Sequence, residues 1–191
     1  MDGRWCGLFG VVGPLVAYLF TGVSIMLSPW FSWWRNALSD LGHASKSSVA
    51  PIFNFGLMLA GLLVLLYAVT ALRRHARYTS YFSLASAFML QLVATFNEVY
   101  GSLHFAVSVL FFVSLALASI VYAVERRSIL AMVAFLIGLS TWVLYWAGVY
   151  RAGVAVPEAV STIVVVSWII LSALRIIFSK PSISKPLEKG S

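Results

Sequence analysis

The amino-acid sequence predicts an all-α protein, a polytopic membrane bundle of six transmembrane helices with both termini in the cytoplasm. Of its 191 residues, 61% are hydrophobic and 10% are charged, and the mean hydropathy is +0.95. A water-soluble domain cannot hide so much apolar surface, whereas a lipid bilayer solvates it. The chain also contains six apolar segments close to the roughly 20 residues that a membrane-spanning helix requires.

Each predicted span must be helical, because backbone groups in hydrocarbon have to pair within their own segment. The spans cover residues 7–28, 51–72, 80–100, 102–124, 129–150 and 158–179. Pro14 predicts a bend within the first span, while Pro51 and Pro157 stand at the starts of spans 2 and 6, where a missing N–H costs nothing. We therefore expect a transmembrane domain over residues 1–179, followed by a flexible cytoplasmic tail over residues 180–191.

Basic residues predict the orientation of the bundle. Ten of the 13 Lys and Arg residues flank the spans on one side and three lie on the other. Short loops rich in Lys and Arg remain in the cytoplasm, which places both termini there in a multi-pass protein of the cell membrane. Topology and anionic headgroups of the lipid bilayer then account for the net charge of +7, and nucleic acid is not an expected partner. The larger set is Arg4, Arg73, Arg74, Arg77, Arg126, Arg127, Arg175, Lys180, Lys185 and Lys189, and the smaller is Arg35, Lys46 and Arg151.

The longest connection, residues 29–50, lies on the predicted outer side and begins with an aromatic cluster over 29–34. Trp rings favour the headgroup region, so we expect an interfacial or re-entrant helix here. If residues 35–43 are helical, four polar side chains share one face by their i, i+3 and i+4 spacing. They are Asn36, Ser39, Asp40 and His43.

Asp40 and His43 allow two interpretations. A carboxylate and an imidazole three residues apart on a helix can orient one another or supply two ligands to a metal ion, with a third ligand from elsewhere. Alternatively, a hydrogen bond between them merely fixes the loop.

Glu98 and His104 frame the tight turn Gly101-Ser102 between spans 3 and 4. They either face each other across the turn or extend separately to the outer interface. Glu158 follows Pro157 in the first turn of span 6, where the helix dipole alone favours a carboxylate.

Two further polar residues have predicted partners. Arg151 is a candidate partner for Glu158 or Asp40. Asn54, about one turn into span 2, is expected to bond to a neighbouring helix or to the outer loop, beside a small-residue face of Gly56, Ala60 and Gly61.

Several sequence segments resemble the domain-of-unknown-function 998 (DUF998) family of prokaryotic integral membrane proteins. They are residues 29–32, 36–42, 52–57, 100–104 and 157–158, spread over nearly the whole chain. The resemblance implies the six-helix fold and a set of family-like polar positions, without an assigned activity.

Two functions from different classes follow as hypotheses. The first is a bundle with an outward-facing polar pocket that binds a lipid headgroup, a small ligand or a partner membrane protein. The ligand-binding candidates are Asn36, Ser39, Asp40, His43, Asn54, Glu98, His104 and Glu158.

The alternative is a metal-dependent membrane hydrolase acting on lipid at the outer leaflet. Asp40, His43 and His104 would hold the metal, with Ser39 or Glu98 assisting. This set is similar to that of membrane hydrolases related to ceramidases, except that span 6 lacks their paired histidines. The sequence identifies no cofactor.

Overall fold

Six long helices form the computed structural model, which describes residues 5–179. They are α1 (Leu8–Met26), α2 (Ala50–Tyr67), α3 (Arg77–Thr95), α4 (Ser102–Glu125), α5 (Ile129–Trp146) and α6 (Ala155–Phe178). The described residues contain no β-strand, which confirms the predicted all-α class. Five of the helices, all except α3, are long and apolar enough to cross a membrane, so the chain is a multi-pass membrane protein. The predicted tail over 180–191 lies outside the described residues.

Helix α3 is less apolar because it carries hydroxyl side chains, but Thr79, Ser80 and Ser83 are buried inside the bundle. At 19 residues it matches α1 in length. It ends at Thr95, earlier than the predicted residue 100. A turn follows in which the Asn97 side chain accepts a hydrogen bond from the Val99 N–H at 3.2 Å.

The helices pack as a ring in chain order, and α6 closes the ring against α1. Side chains of α6 also reach across the ring. The Trp168 ring stacks on Tyr122 of α4 with a centroid distance of 4.5 Å, and its indole N–H donates to Ser119 at 3.1 Å. The Tyr67 hydroxyl of α2 hydrogen-bonds to Ser172 at 2.7 Å. Such buried polar contacts join helices that have no hydrophobic driving force for association in lipid.

The two ends of the bundle differ in their connections. At the end that we call basic, α2 continues through the π-helical segment Ala68–Leu72 to Arg73–His75. Here the Glu125 carboxylate accepts hydrogen bonds from the N–H groups of Tyr78 and Thr79 at 3.1 and 2.9 Å. It thereby pairs backbone donors that the start of α3 would leave free.

The opposite end, which we call the polar-loop end, carries residues 27–49, 96–101 and 147–154. The interfacial helix predicted within 29–50 is absent: only Leu38–Gly42 is helical, and it is a 3-10 helix. The prediction was wrong because backbone groups of this loop bond to other parts of the chain. The N–H of Gly153 donates to the Trp33 carbonyl at 2.9 Å, and the N–H of Ala155 donates to the Asn36 carbonyl at 2.9 Å.

Candidate ligand-binding site

Residues 27–49, which we call the capping loop, cover the polar-loop end. Leu41 at the centre of the loop is fully buried and packs with Val49 and Phe53. Asn54 of α2 donates its amide N–H to the Gly42 carbonyl at 2.9 Å, which is the bond to the outer loop that the sequence predicts. A Cβ at Gly42 would lie 2.5 Å from the Asn54 Oδ1 atom, so this contact requires glycine. The capping loop is therefore fixed against α2.

The side chains of Asp40 and His43 do not hydrogen-bond to each other, contrary to the shared helical face predicted for them, although the His43 N–H donates to the Asp40 carbonyl at 3.2 Å. The Asp40 carboxylate accepts hydrogen bonds from the Asn36 side chain at 2.9 Å and from the Ala37 N–H at 3.0 Å. His43 lies 3.3 Å from the Ser45 hydroxyl through its Nδ1 atom. The side chains of both residues thus make hydrogen bonds within the capping loop.

A chain of polar side chains connects the capping loop to α4. The Ser39 hydroxyl donates to the Glu98 Oε1 atom at 2.5 Å, and the same oxygen lies 3.4 Å from the His104 Nε2 atom. The Ser108 hydroxyl, one turn further along α4, lies 3.3 Å from that nitrogen. Glu98 and His104 therefore face each other, the first of their two predicted arrangements.

The orientation of the His104 ring is fixed by its other nitrogen. The Nδ1 atom lies 2.7 Å from the Phe96 carbonyl oxygen, which can only accept, so Nδ1 carries a proton. Nε2 then accepts from Ser108 when the ring is neutral and donates to Glu98 when the ring is protonated. The His104 ring can therefore gain or lose a proton at Nε2 while it keeps its orientation.

Glu98, in the turn between α3 and α4, supplies the carboxyl group that pairs with His104. The hydrogen bond with His104 lowers the pKa of the Glu98 carboxyl to about 2 from the ordinary 4.5, against the opposing effect of burial. The Ser39 hydroxyl and the nearby charge of His43 also lower the pKa of Glu98. The Glu98 side chain is therefore a carboxylate at neutral pH.

Glu158 has a larger structural role than the helix dipole alone would suggest. Its Oε2 atom accepts a hydrogen bond from the Leu38 N–H of the capping loop at 2.6 Å. These residues are 120 positions apart in the sequence, so no local pattern could reveal the contact. Arg151, the predicted partner of Glu158 or Asp40, pairs with neither, since the ion pair between His104 and Glu98 is the sole one within residues 5–179.

Two cavities extend into the bundle from this polar cluster. Cavity 1, of about 290 Å³, lies among α1, α2, α3, α4 and α6. Cavity 2, of about 410 Å³, lies among α4, α5 and α6. The walls of both are mainly aliphatic and aromatic. Six residues line both cavities, namely Ser39, Ser108, Phe112, Leu115, Glu158 and Val165.

The predicted metal site is not assembled. Within the described part of the chain, no three or more His, Cys, Asp or Glu side chains come together to hold a metal ion. Asp40 and His43 are directed to partners in the capping loop, while His104 bonds to Phe96 and Glu98. A structural zinc ion normally takes four protein ligands and a catalytic one takes three, so this set does not fit.

The fold and the site define a multi-pass helical membrane protein whose polar cluster opens on two apolar cavities. Residues 11–175 match the family described as "Protein of unknown function (DUF998)", and the chain belongs to that family. This confirms the resemblance found in the sequence. No curated protein and no solved structure matches the chain.

Proposed function

We propose that this protein binds an amphiphilic lipid at the polar-loop end. The polar group of the lipid would contact Ser39, Glu98, His104 and Glu158, and its apolar part would occupy the cavities. The observation that carries the proposal is the polar junction of two apolar cavities, lined in common by Ser39, Ser108 and Glu158.

Cavity size and chemistry support a lipid over a small polar ligand. Ligand sites are typically about 300–1,000 Å³, mainly apolar, with a few polar groups that fix orientation. The combined volume of the two cavities falls within this range. Ionisable side chains are costly at membrane depth and usually mark a functional pathway or pocket. A polar headgroup with an attached hydrocarbon chain satisfies both parts of the site.

The distribution of basic residues supports the entry of lipid from one particular side. With both termini in the cytoplasm, as the positive-inside rule predicts, the polar-loop end would face outward. The ligand would then come from the outer leaflet.

A metal-dependent hydrolase lacks support, because residues 5–179 contain no assembled metal-binding group. A partner membrane protein would need a protruding polar face, whereas Glu158 and Ser39 line the two cavities.

The test is the lipid that remains with the full-length protein through detergent purification, measured by mass spectrometry. Ser108→Phe would fill the junction of the cavities, since Ser108 is half-buried and lines both. Ala106→Phe is the matched control, because Ala106 lies exposed on the same helix and lines neither cavity.

Wild type and Ala106→Phe should retain about one lipid per protein, and Ser108→Phe should lose most of it. Added monooleoylglycerol should raise the Tm of the wild type, because a ligand that binds only the folded state stabilises it. Equal lipid retention by all three proteins, with no change in Tm, would contradict the proposal.

A further inference from the structure

Cavities 1 and 2 branch from a common polar junction, and they continue along different helices. Cavity 1 follows α1 from Ile25 to Pro14, a rise of roughly 16 Å at 1.5 Å per residue. Cavity 2 follows α5 from Trp146 to Ala134, a rise of roughly 18 Å. The hydrocarbon core of a bilayer is about 30 Å thick, so one leaflet is about 15 Å deep. Each cavity thus has the depth of one acyl chain.

The carboxyl groups of the polar junction select the headgroup. Glu158 presents a buried carboxyl group of which one oxygen accepts the Leu38 N–H, and the Glu98 carboxylate lines cavity 2 beside His104. Among the described residues that line the cavities there is no Lys or Arg. A phosphate would meet the like charge of the Glu98 carboxylate and no Lys or Arg, whereas an uncharged hydroxyl can hydrogen-bond to the carboxyl group of Glu158 or Glu98.

We infer that the ligand is a two-chain lipid without phosphate, such as a diacylglycerol, with one acyl chain in each cavity and its headgroup hydroxyl hydrogen-bonded to Glu158. This inference rests on the proposed function and adds the number of chains and the headgroup chemistry. The shared walls Phe112 and Leu115 would lie between the two chains, below the headgroup.

The experiment blocks one cavity at a time in the full-length protein. Ala17→Phe fills cavity 1 and Ala116→Phe fills cavity 2, since each alanine is half-buried and lines only that cavity. Ala106→Phe is again the control. Where a Phe variant fails to fold, Gly22→Leu replaces it in cavity 1, because a Cβ at Gly22 meets nothing within 4 Å. Val113→Phe, at a half-exposed position, replaces it in cavity 2.

Binding of dioleoylglycerol, monooleoylglycerol and dioleoyl phosphatidic acid is measured in mixed micelles by competition with radiolabelled dioleoylglycerol. Each single variant should weaken dioleoylglycerol binding about tenfold or more, since an excluded chain loses its apolar burial. Monooleoylglycerol, with one chain, should bind each single variant about as well as it binds the wild type, because the other cavity remains free. Phosphatidic acid should bind wild type at least about tenfold more weakly than dioleoylglycerol, which corresponds to about 1.4 kcal/mol.

The alternative outcomes separate the inference from the proposed function. If one variant abolished binding of both glycerides and the other changed nothing, the ligand would have one chain, and only the two-chain inference would fail. Equal affinity for phosphatidic acid would overturn the headgroup assignment. If no variant altered binding of any lipid, the proposed function would fail together with the inference.

Discussion

Polar side chains at the polar-loop end separate into two groups by what they contact. Asp40, His43 and Asn54 hold the capping loop in shape through hydrogen bonds to its backbone or to its own side chains. Glu98 and Glu158 instead bond to the capping loop and also line cavity 2. A substitution in the first group should therefore affect stability, and a substitution in the second should affect ligand binding as well.

Glu98 gives a prediction on pH. Its pKa of about 2 in the folded protein lies below the ordinary 4.5, so the unfolded chain binds the proton first as pH falls. The stabilisation of the folded protein by the Glu98 carboxylate is complete above about pH 4.5 and is lost as pH falls toward 2. Because a hydrogen bond to a charged group contributes about 1.5–3 kcal/mol, Glu98→Gln should lower the Tm in detergent by several degrees at pH 7.

The measurement is the Tm difference between wild type and Glu98→Gln from pH 7 down to pH 2. We expect this difference to shrink below about pH 4.5. Because Glu98 is paired with His104, the difference reports the titration of this pair, and the other titrating groups are common to both proteins. A Tm difference that stays constant throughout this range would refute the charge-dependent role of Glu98.

Individual contacts at the site were much harder to predict from the sequence than the residues that make them. Glu98 and His104 are near in sequence, and their pairing was one of two predicted arrangements. The bonds from Leu38 to Glu158 and from Ser39 to Glu98 join residues 120 and 59 positions apart. Such contacts depend on how the capping loop packs against the helices. The periodicity of apolar residues in the sequence carries no information about this packing.

Whole helices were predicted closely, because the bilayer permits few alternatives to a continuous apolar helix. The fourth span, predicted over 102–124, is Ser102–Glu125 in the structure. Errors occur where the chain leaves the hydrocarbon. Span 3 was extended to residue 100 because Phe96, Val99 and Tyr100 continue its apolar pattern, although Asn97 begins a turn. The capping loop was predicted as an interfacial or re-entrant helix because its Trp cluster favours the headgroup region.

The contact between α1 and α2 gives a prediction on helix packing. A Cβ at Gly56 would overlap the Phe20 side chain, whereas a Cβ at Gly22 meets nothing within 4 Å. Gly56→Ala should destabilise the protein, because overpacking typically costs about 1–3 kcal/mol. Gly22→Ala should be neutral or slightly stabilising, since alanine is favoured over glycine in a helix by about 0.5–1 kcal/mol.

Thermal unfolding of both variants in the same detergent measures this difference. The Tm should fall for Gly56→Ala and stay level or rise for Gly22→Ala. Similar Tm values for the two variants would show that α1 and α2 are not closely packed at Gly56.

The molecule as a whole has a charge asymmetry that predicts its orientation. In a Cys6→Ser background, Ser45→Cys places a thiol on the exposed capping loop, and Ser179→Cys places one at the exposed end of α6. An impermeant maleimide should label the first in intact cells and the second only after permeabilisation. The reverse pattern would put the capping loop in the cytoplasm and contradict the positive-inside prediction.

The occupancy of the cavities by lipid is the central claim, and photo-crosslinking in native membranes tests it most directly. A diacylglycerol with a diazirine in each chain would be activated in cells and its attachment sites mapped by peptide mass spectrometry. We predict labelling at Phe112 and Leu115 on the shared cavity wall, and loss of this labelling with excess unlabelled dioleoylglycerol. Labelling confined to Leu110 and Leu117, which are 51% and 41% exposed on the outer surface of α4, would contradict the claim.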